Sequence, residues 1–277
     1  MVNPKFPKLL LLILGLCWCL LVGCAVNPIS GEEELMLFAP EEDIQLGRQY
    51  SPEVEKELGG RIADEALQSY IDGVGQRIAR VCHRPDWDYR FVAVEHESVN
   101  AVAVPGGYIF ITRGMLEKLS TEAQLAGILG HEIAHVVARD SAAALSREYG
   151  MGILLAAIQA AGASGDAVKA AAFTKQILSL RYSRKDEQEA DLAGMDYMVR
   201  AAYVPSGMVE TMQILRDLQQ VRPIEFFSTH PLPQNRMMYL SQRIASRYSN
   251  VGGLNVGRED YRQGVLARLQ QETPVEF

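Results

Sequence analysis

The chain has 277 residues, of which 48% are hydrophobic and 22% charged, and a formal net charge of -7. That is an ordinary globular composition, long enough for one large core or two small ones. The 27 Lys and Arg residues are spread along the chain without a basic stripe, which argues against nucleic acid as a partner.

Lys5 and Lys8 form a short cationic start, followed by an apolar stretch from Leu9 to Val22 and then Leu21-Val22-Gly23-Cys24. This order describes a secretory signal peptide. The stretch is shorter than the roughly 20 apolar residues that cross a bilayer, which speaks against an uncleaved anchor. The Leu-Val-Gly-Cys ending is similar to a bacterial lipobox. On that reading residues 1–23 are removed and Cys24 carries acyl chains that hold the protein on a membrane surface. Cys17 and Cys19 leave with the signal, so Cys82 is the one thiol left, with no disulfide to form. Its place at the end of a helical pattern suits a small buried apolar residue.

Residues 25–58 read as a polar tether draped over the body, punctuated by Pro28, Pro40 and Pro52. Ile62, Ala66, Tyr70, Val74 and Ile78 predict a helix from about Arg61 to Val81. Arg90 to Glu95, Ala101 to Val104 and Tyr108 to Thr112 predict three strands, the last two separated by Pro105-Gly106-Gly107. Thr121 and Gln124 resemble a capping box. The helix it opens has a broad apolar face of Leu125, Ile128, Leu129, Ile133 and Val136, and is expected to run past Ala138. Residues 150–172 are rich in Ala and Gly; a buried hairpin, a lid or a membrane-touching segment all fit. Further helices are expected from Tyr182 to Arg200, Met208 to Gln220 and Gln234 to Tyr248.

The chemistry concentrates in His131-Glu132-Ile133-Ala134-His135. Residues four apart share a helical face, so His131 and His135 project side by side toward one metal ion. Glu132 is placed to take a proton from a water on that metal. Gly127 and Gly130 allow another segment to approach this helix closely. A third protein ligand must come from elsewhere, and Ser183 to Asp191 is the richest stretch. Glu187 and Asp191 share a face there, while Glu189 points away, although spacing alone sets Glu187 only slightly ahead of Glu189. Asp191 suits either a hydrogen bond to a ligating His or proton donation. His83 and His96 read as surface histidines, and Tyr182 as a packing residue rather than an oxyanion donor.

The runs Asn100 to Ile109, Leu125 to His135 and Ser183 to Asp191, together with Thr229-His230-Pro231, resemble peptidase family M48. The resemblance implies a mostly helical α+β fold of the zincin (gluzincin) type, with a small mixed sheet packed on two metal-binding helices. It implies one zinc ion per chain held by His131, His135 and Glu187, with Glu132 as general base. Asp191 matches a supporting or proton-donating Asp. His230 matches a His that either fills the fourth zinc position at rest or steadies the tetrahedral intermediate, and Arg236 an Arg six residues later. Asn100, Ala101, Val102 and Ala103 would form an edge strand that pairs with extended substrate. The expected partition is a signal peptide over 1–23, a tether over 24–58 and one peptidase domain over 59–277.

Many members carry a His where Asp140 stands, a departure expected to alter packing more than chemistry. The tetratricopeptide repeats of longer members are not expected, which places the chain with the short lipoprotein branch. The implied enzyme is a zinc endopeptidase acting on unfolded or misassembled envelope proteins. Ala25 and Val26 lack an Asp retention signal, so the expected site is the outer membrane, facing the periplasm, with envelope assembly partners. The alternative is a chaperone-like binding lipoprotein whose zinc His230 closes permanently. An intramembrane protease would need several spanning helices, for which the sequence offers no pattern.

Overall fold

The computed structural model describes residues 24–147, 166–231, 235–250 and 252–272. The expected signal peptide and residues 150–165 of the Ala- and Gly-rich stretch lie outside these. Residues 166–172 of that stretch belong to a helix, Asp166–Ser179.

A short antiparallel hairpin comes first, β1 (Cys24–Val26) on β2 (Glu33–Leu35). It lies over the body, as expected of the start of the 25–58 stretch: Asn27 donates to Glu189 at 3.2 Å and Lys185 reaches Glu32 at 2.6 Å. The rest of the stretch read as a polar tether is a helix that the sequence reading did not include, α1 (Pro40–Glu57). Pro40 occupies the first turn, where no N–H is needed. Glu42 accepts from the Ala39 N–H at 2.7 Å, and the remaining proline, Pro52, is carried inside the helix.

α2 (Glu65–Ala79) opens on Asp64, whose carboxylate accepts from Ala66 and Leu67 N–H, slightly later than its apolar period suggested. Then β3 (Arg90–Val94), β4 (Ala101–Val104) and β5 (Tyr108–Thr112) form a mixed sheet in the order β3-β5-β4. β3 runs parallel to β5 and β4 antiparallel to it. Alternation sends Ala101, Ala103, Ile109 and Ile111 into the core shared with α2 and with α3 (Glu122–Ala138). Val102, Val104 and Phe110 turn the other way, onto Val54 and Leu58 and onto helical residues 142–145. Both faces of the sheet are therefore covered, and β4 is its edge next to α3.

α3 is buried along its whole length, histidines and glutamate included. Its cap is half of the predicted box: Thr121 accepts from Gln124 N–H at 3.2 Å, while the Gln124 side chain bonds Ser120 instead of Thr121. α3 stops at Ala138, because Arg139 takes left-handed geometry at φ 62° and the helix restarts in a new direction over 140–147. α4 (Arg184–Arg200) begins with a true capping box between Ser183 and Asp186. α5 (Ser206–Val221) and α6 (Arg236–Arg243) follow, α6 running into a π-helical turn over Ile244–Tyr248. Short helical pieces over 258–272, which the apolar pattern did not announce, close the described chain. Among the described residues, no helix is long and apolar enough to cross a membrane.

Candidate metal centre

α3 and α4 cross where neither has a side chain. A Cβ on Gly130 would stand 2.9 Å from the Gly194 carbonyl oxygen, and one on Gly194 would stand 2.8 Å from the Gly130 carbonyl carbon. Two glycines therefore let the backbones touch. Gly194 follows Glu187 by two helical turns, so the same contact carries Glu187 toward His131, the neighbour of Gly130. Gly127 meets the start of α5 at Met208, 3.0 Å from its virtual Cβ, which confirms the close approach expected on this helix.

His131, His135, Glu187 and His230 converge, with donor atoms all within 4.8 Å of one another. His131 Nε2 lies 3.0 Å from His135 Nε2 and 3.3 Å from His230 Nδ1. Glu187 Oε1 lies 3.4 Å from His135 Nε2 and 2.8 Å from His230 Nδ1, and its Oε2 lies 3.6 Å from His131 Nε2. A tetrahedral ion with ligands at about 2.0–2.1 Å needs donor separations of about 3.3–3.4 Å. These distances, from 2.8 to 3.6 Å, scatter around that value, so small side-chain adjustments bring the donors onto such an ion.

Carboxylates hold both ring nitrogens on the far side. His131 Nδ1 is 3.0 Å from Asp191 Oδ1, and His135 Nδ1 is 2.6 Å from Asp140 Oδ2. A hydrogen on Nδ1, directed at the carboxylate, leaves Nε2 of each ring to face the cluster. For Asp191 this was one of the expected roles. Asp140 is a correction: it bonds the ring of His135 directly instead of merely altering the packing beside it.

Arg236 is buried and donates from Nη2 to Asp191 at 2.6 Å, while its Nη1 lies 3.1 Å from Glu187 Oε2, in ion-pair range but off hydrogen-bonding geometry. Tyr239, one turn on, donates to the other Asp191 oxygen. Burial opposes ionisation of Glu187 and Asp191. Arg236 and the surrounding histidines nevertheless hold both carboxyls below the usual carboxylate range. Burial pushes the His131 imidazole down, with the neighbouring His135 adding to the effect.

Glu132 is the informative residue. It is wholly buried, yet neither carboxylate oxygen has a hydrogen-bond partner among the described residues. His230 Nε2 lies 3.7 Å from its Oε1. A buried unpaired carboxylate costs several kcal/mol unless something polar meets it, on the order of the burial penalties for polar groups. Such an orphaned carboxyl group beside four converging donors is what a cation with its water would satisfy.

His230 is wedged between Phe226, stacked on it with centroids 4.4 Å apart, and Tyr182 at 5.0 Å. Tyr182 stacks on His135 at 4.0 Å and its hydroxyl meets Ser141 at 3.0 Å, which agrees with a packing role. Burial pushes that phenol well above its ordinary value, so it remains an O–H. Glu189 faces the N-terminal hairpin, away from the site, as its position on the helix predicted. His83 bonds Tyr197 and His96 bonds Ser98, both outside the cluster.

β4 places Asn100 to Ala103 beside α3. The Thr112 N–H donates to Asn100 C=O, and the alternation of an antiparallel ladder then turns the polar groups of Ala101 and Ala103 to the open edge. Ala101 N–H is met by Asn100 Oδ1 at 2.9 Å, and Ala103 C=O by Ser141 Oγ at 3.3 Å. The strand is buried, so partners reach it only where neighbouring segments yield. Cys24 is exposed at the start of β1, and Cys82 is buried with its sulfur 3.4 Å from Tyr89 Oη.

The chain is similar to the β-barrel assembly-enhancing protease of Escherichia coli, 29% identical over 211 residues, covering 71% of this chain and 42% of that protein. A putative protein of the same name in Vibrio cholerae is 29% identical over 187 residues, covering 64% of this chain and 39% of the relative. The mitochondrial metalloendopeptidase OMA1 of Schizosaccharomyces pombe is 29% identical over 211 residues, covering 72% of this chain and 61% of it. The match thus spans less than half of each bacterial relative. The family model described as Peptidase family M48 matches residues 65–244, from the first residue of α2 to just past α6. That segment is more than half of the sequence and contains every donor in the cluster, and the chain belongs to peptidase family M48.

Proposed function

We propose that this metallopeptidase is a lipid-anchored, zinc-dependent endopeptidase that cleaves unfolded or misassembled envelope proteins. The observation that carries the catalytic part is the orphaned Glu132 carboxylate, on the helix of His131 and His135 and 3.7 Å from His230 of the donor cluster. A zinc ion held by those three residues would supply Lewis acidity and bring the pKa of a water toward about 7. Glu132 accepts a proton from that water as it adds to the peptide carbonyl, then hands it to the nitrogen as the C–N bond breaks. Asp191 keeps the His131 ring oriented, and Arg236 balances the charge of Asp191 and Glu187. His230 stands where a fourth ligand belongs and has to swing aside for water and substrate.

Extended substrate pairs with the Asn100–Ala103 edge, Ala101 and Ala103 offering main-chain groups in place of their present side-chain partners. Cys24 carries the lipid, with residues 1–23 as the removed signal. The barrel assembly named in the bacterial relatives supports envelope assembly partners, and Ala25 and Val26 after Cys24 support the outer membrane, facing the periplasm.

A second reading has one observation in its favour: His230 Nδ1 sits 2.8 Å from Glu187 and 3.3 Å from His131, closing the donor set. On that reading the chain is a chaperone-like binding lipoprotein with a sealed zinc site. Glu132→Gln decides between them. The enzyme reading requires that the variant keep its metal and lose casein cleavage by at least about 100-fold, the scale of general-base catalysis. Equal cleavage by variant and wild type, or none by either, favours the sealed site.

A further inference from the structure

We propose that Asp140 is a positioning residue for the metal centre: its carboxylate fixes the tautomer and orientation of His135 and thereby sets metal affinity. The inference rests on the metal-site reading above and goes beyond it, because Asp140 lies outside the His-Glu-x-x-His run.

The geometry is built rather than incidental. Asp140 Oδ2 stands 2.6 Å from His135 Nδ1, with both side chains buried. His135 Nδ1 therefore carries its hydrogen toward Asp140, and Nε2 presents its lone pair to the donor cluster. In an uninterrupted helix, residues five apart do not share a face. The chain solves this with one left-handed residue. Arg139 at φ 62° ends α3, its N–H capping the carbonyls of His135 and Val136, and turns Asp140 back beneath His135.

A non-glycine residue in that conformation needs support, and α1 provides it. Arg139 Nε donates to Asp43 at 2.5 Å and Nη2 donates to Phe38 C=O at 2.7 Å, all of it buried. The segment that leads from the N-terminal hairpin into α1 thus holds the turn that holds Asp140. Asp191 does for His131 what Asp140 does for His135, one carboxylate coming from α4 and the other from the segment just after α3.

The test compares wild type with Asp140→Ala, Asp140→Asn and Asp140→Glu as full chains. Zinc affinity is read by competition with a chromophoric chelator, and geometry by the visible absorption of the cobalt-loaded protein. Asp140→Ala is expected to weaken zinc binding by about 10–100-fold, the range for losing such a support. Asp140→Asn keeps an acceptor of the same shape and is expected to fall between alanine and wild type. Its cobalt spectrum should remain near that of wild type while that of alanine shifts. Circular dichroism on chelator-treated samples separates misfolding from weakened binding, and the isosteric asparagine decides the matter if alanine does not fold. Wild-type zinc affinity in both Asp140→Ala and Asp140→Asn overturns the proposal while leaving the metal site standing. A wild type that binds neither zinc nor cobalt overturns the metal site itself, and the proposal with it.

Discussion

The crossing of α3 and α4 makes a quantitative prediction about Gly194→Ala. The new methyl would lie 2.8 Å from the Gly130 carbonyl carbon and from the His131 nitrogen, both backbone atoms. Ordinary carbon contacts need about 3.5–4.0 Å, so the helices must separate by about 0.7–1.2 Å. Overpacking of this kind costs about 1–3 kcal/mol. Alanine recovers about 1 kcal/mol of helix propensity, so the metal-free protein loses about 1 kcal/mol, or roughly 2–4 °C in Tm. The effect on the site is larger. His131 and Glu187 sit on opposite sides of this contact, and metal–donor distances tolerate only about ±0.2 Å. Zinc affinity is expected to fall by about tenfold or more, as for other disturbances of ligand placement. Calorimetric melting with and without chelator, combined with zinc competition, separates the two effects. Unchanged zinc affinity in a folded Gly194→Ala protein would refute the argument that this contact brings the ligands together.

Other expectations follow from single contacts. Asp43→Ala leaves Arg139 buried without its carboxylate and should cost about 3–5 kcal/mol, seen as a lower urea midpoint; a midpoint equal to wild type contradicts the clamp. His230→Ala removes the fourth donor and should raise casein cleavage, by about tenfold if the open state is populated at a tenth. A fall in cleavage would assign His230 to the transition state, and no change would deny it both roles. Glu132→Gln should retain metal and lose activity, read as zinc content and casein turnover on the same sample.

Much of the site was legible because its logic is local. The i, i+4 spacing of His131 and His135 and of Glu187 and Asp191 is a property of one helix face, and the structure places each pair inward. The strands at 101–104 and 108–112 were bounded by the Pro-Gly-Gly turn, and both appear with those limits. α4 was legible too, expected from Tyr182 to Arg200 and found over Arg184–Arg200, with Glu187 and Asp191 buried beside Ala190, Met195 and Met198. α1 was hidden by prolines that suit the first turn of a helix as well as a loop. Asp140 was missed because its role depends on a left-handed arginine, a conformation the sequence does not flag in a non-glycine residue. Arg236 and His230 approach Glu187 from 49 and 43 positions away, a proximity only tertiary packing creates, and family resemblance alone pointed to them.

X-ray absorption and anomalous scattering on zinc-loaded crystals test the central claim most directly. One ion bonded to His131 Nε2, His135 Nε2 and a Glu187 oxygen at about 2.0–2.1 Å, with Glu132 outside the coordination shell, is the expected result. An anomalous peak away from this cluster, or a Glu187 carboxylate turned from both imidazoles, would contradict it.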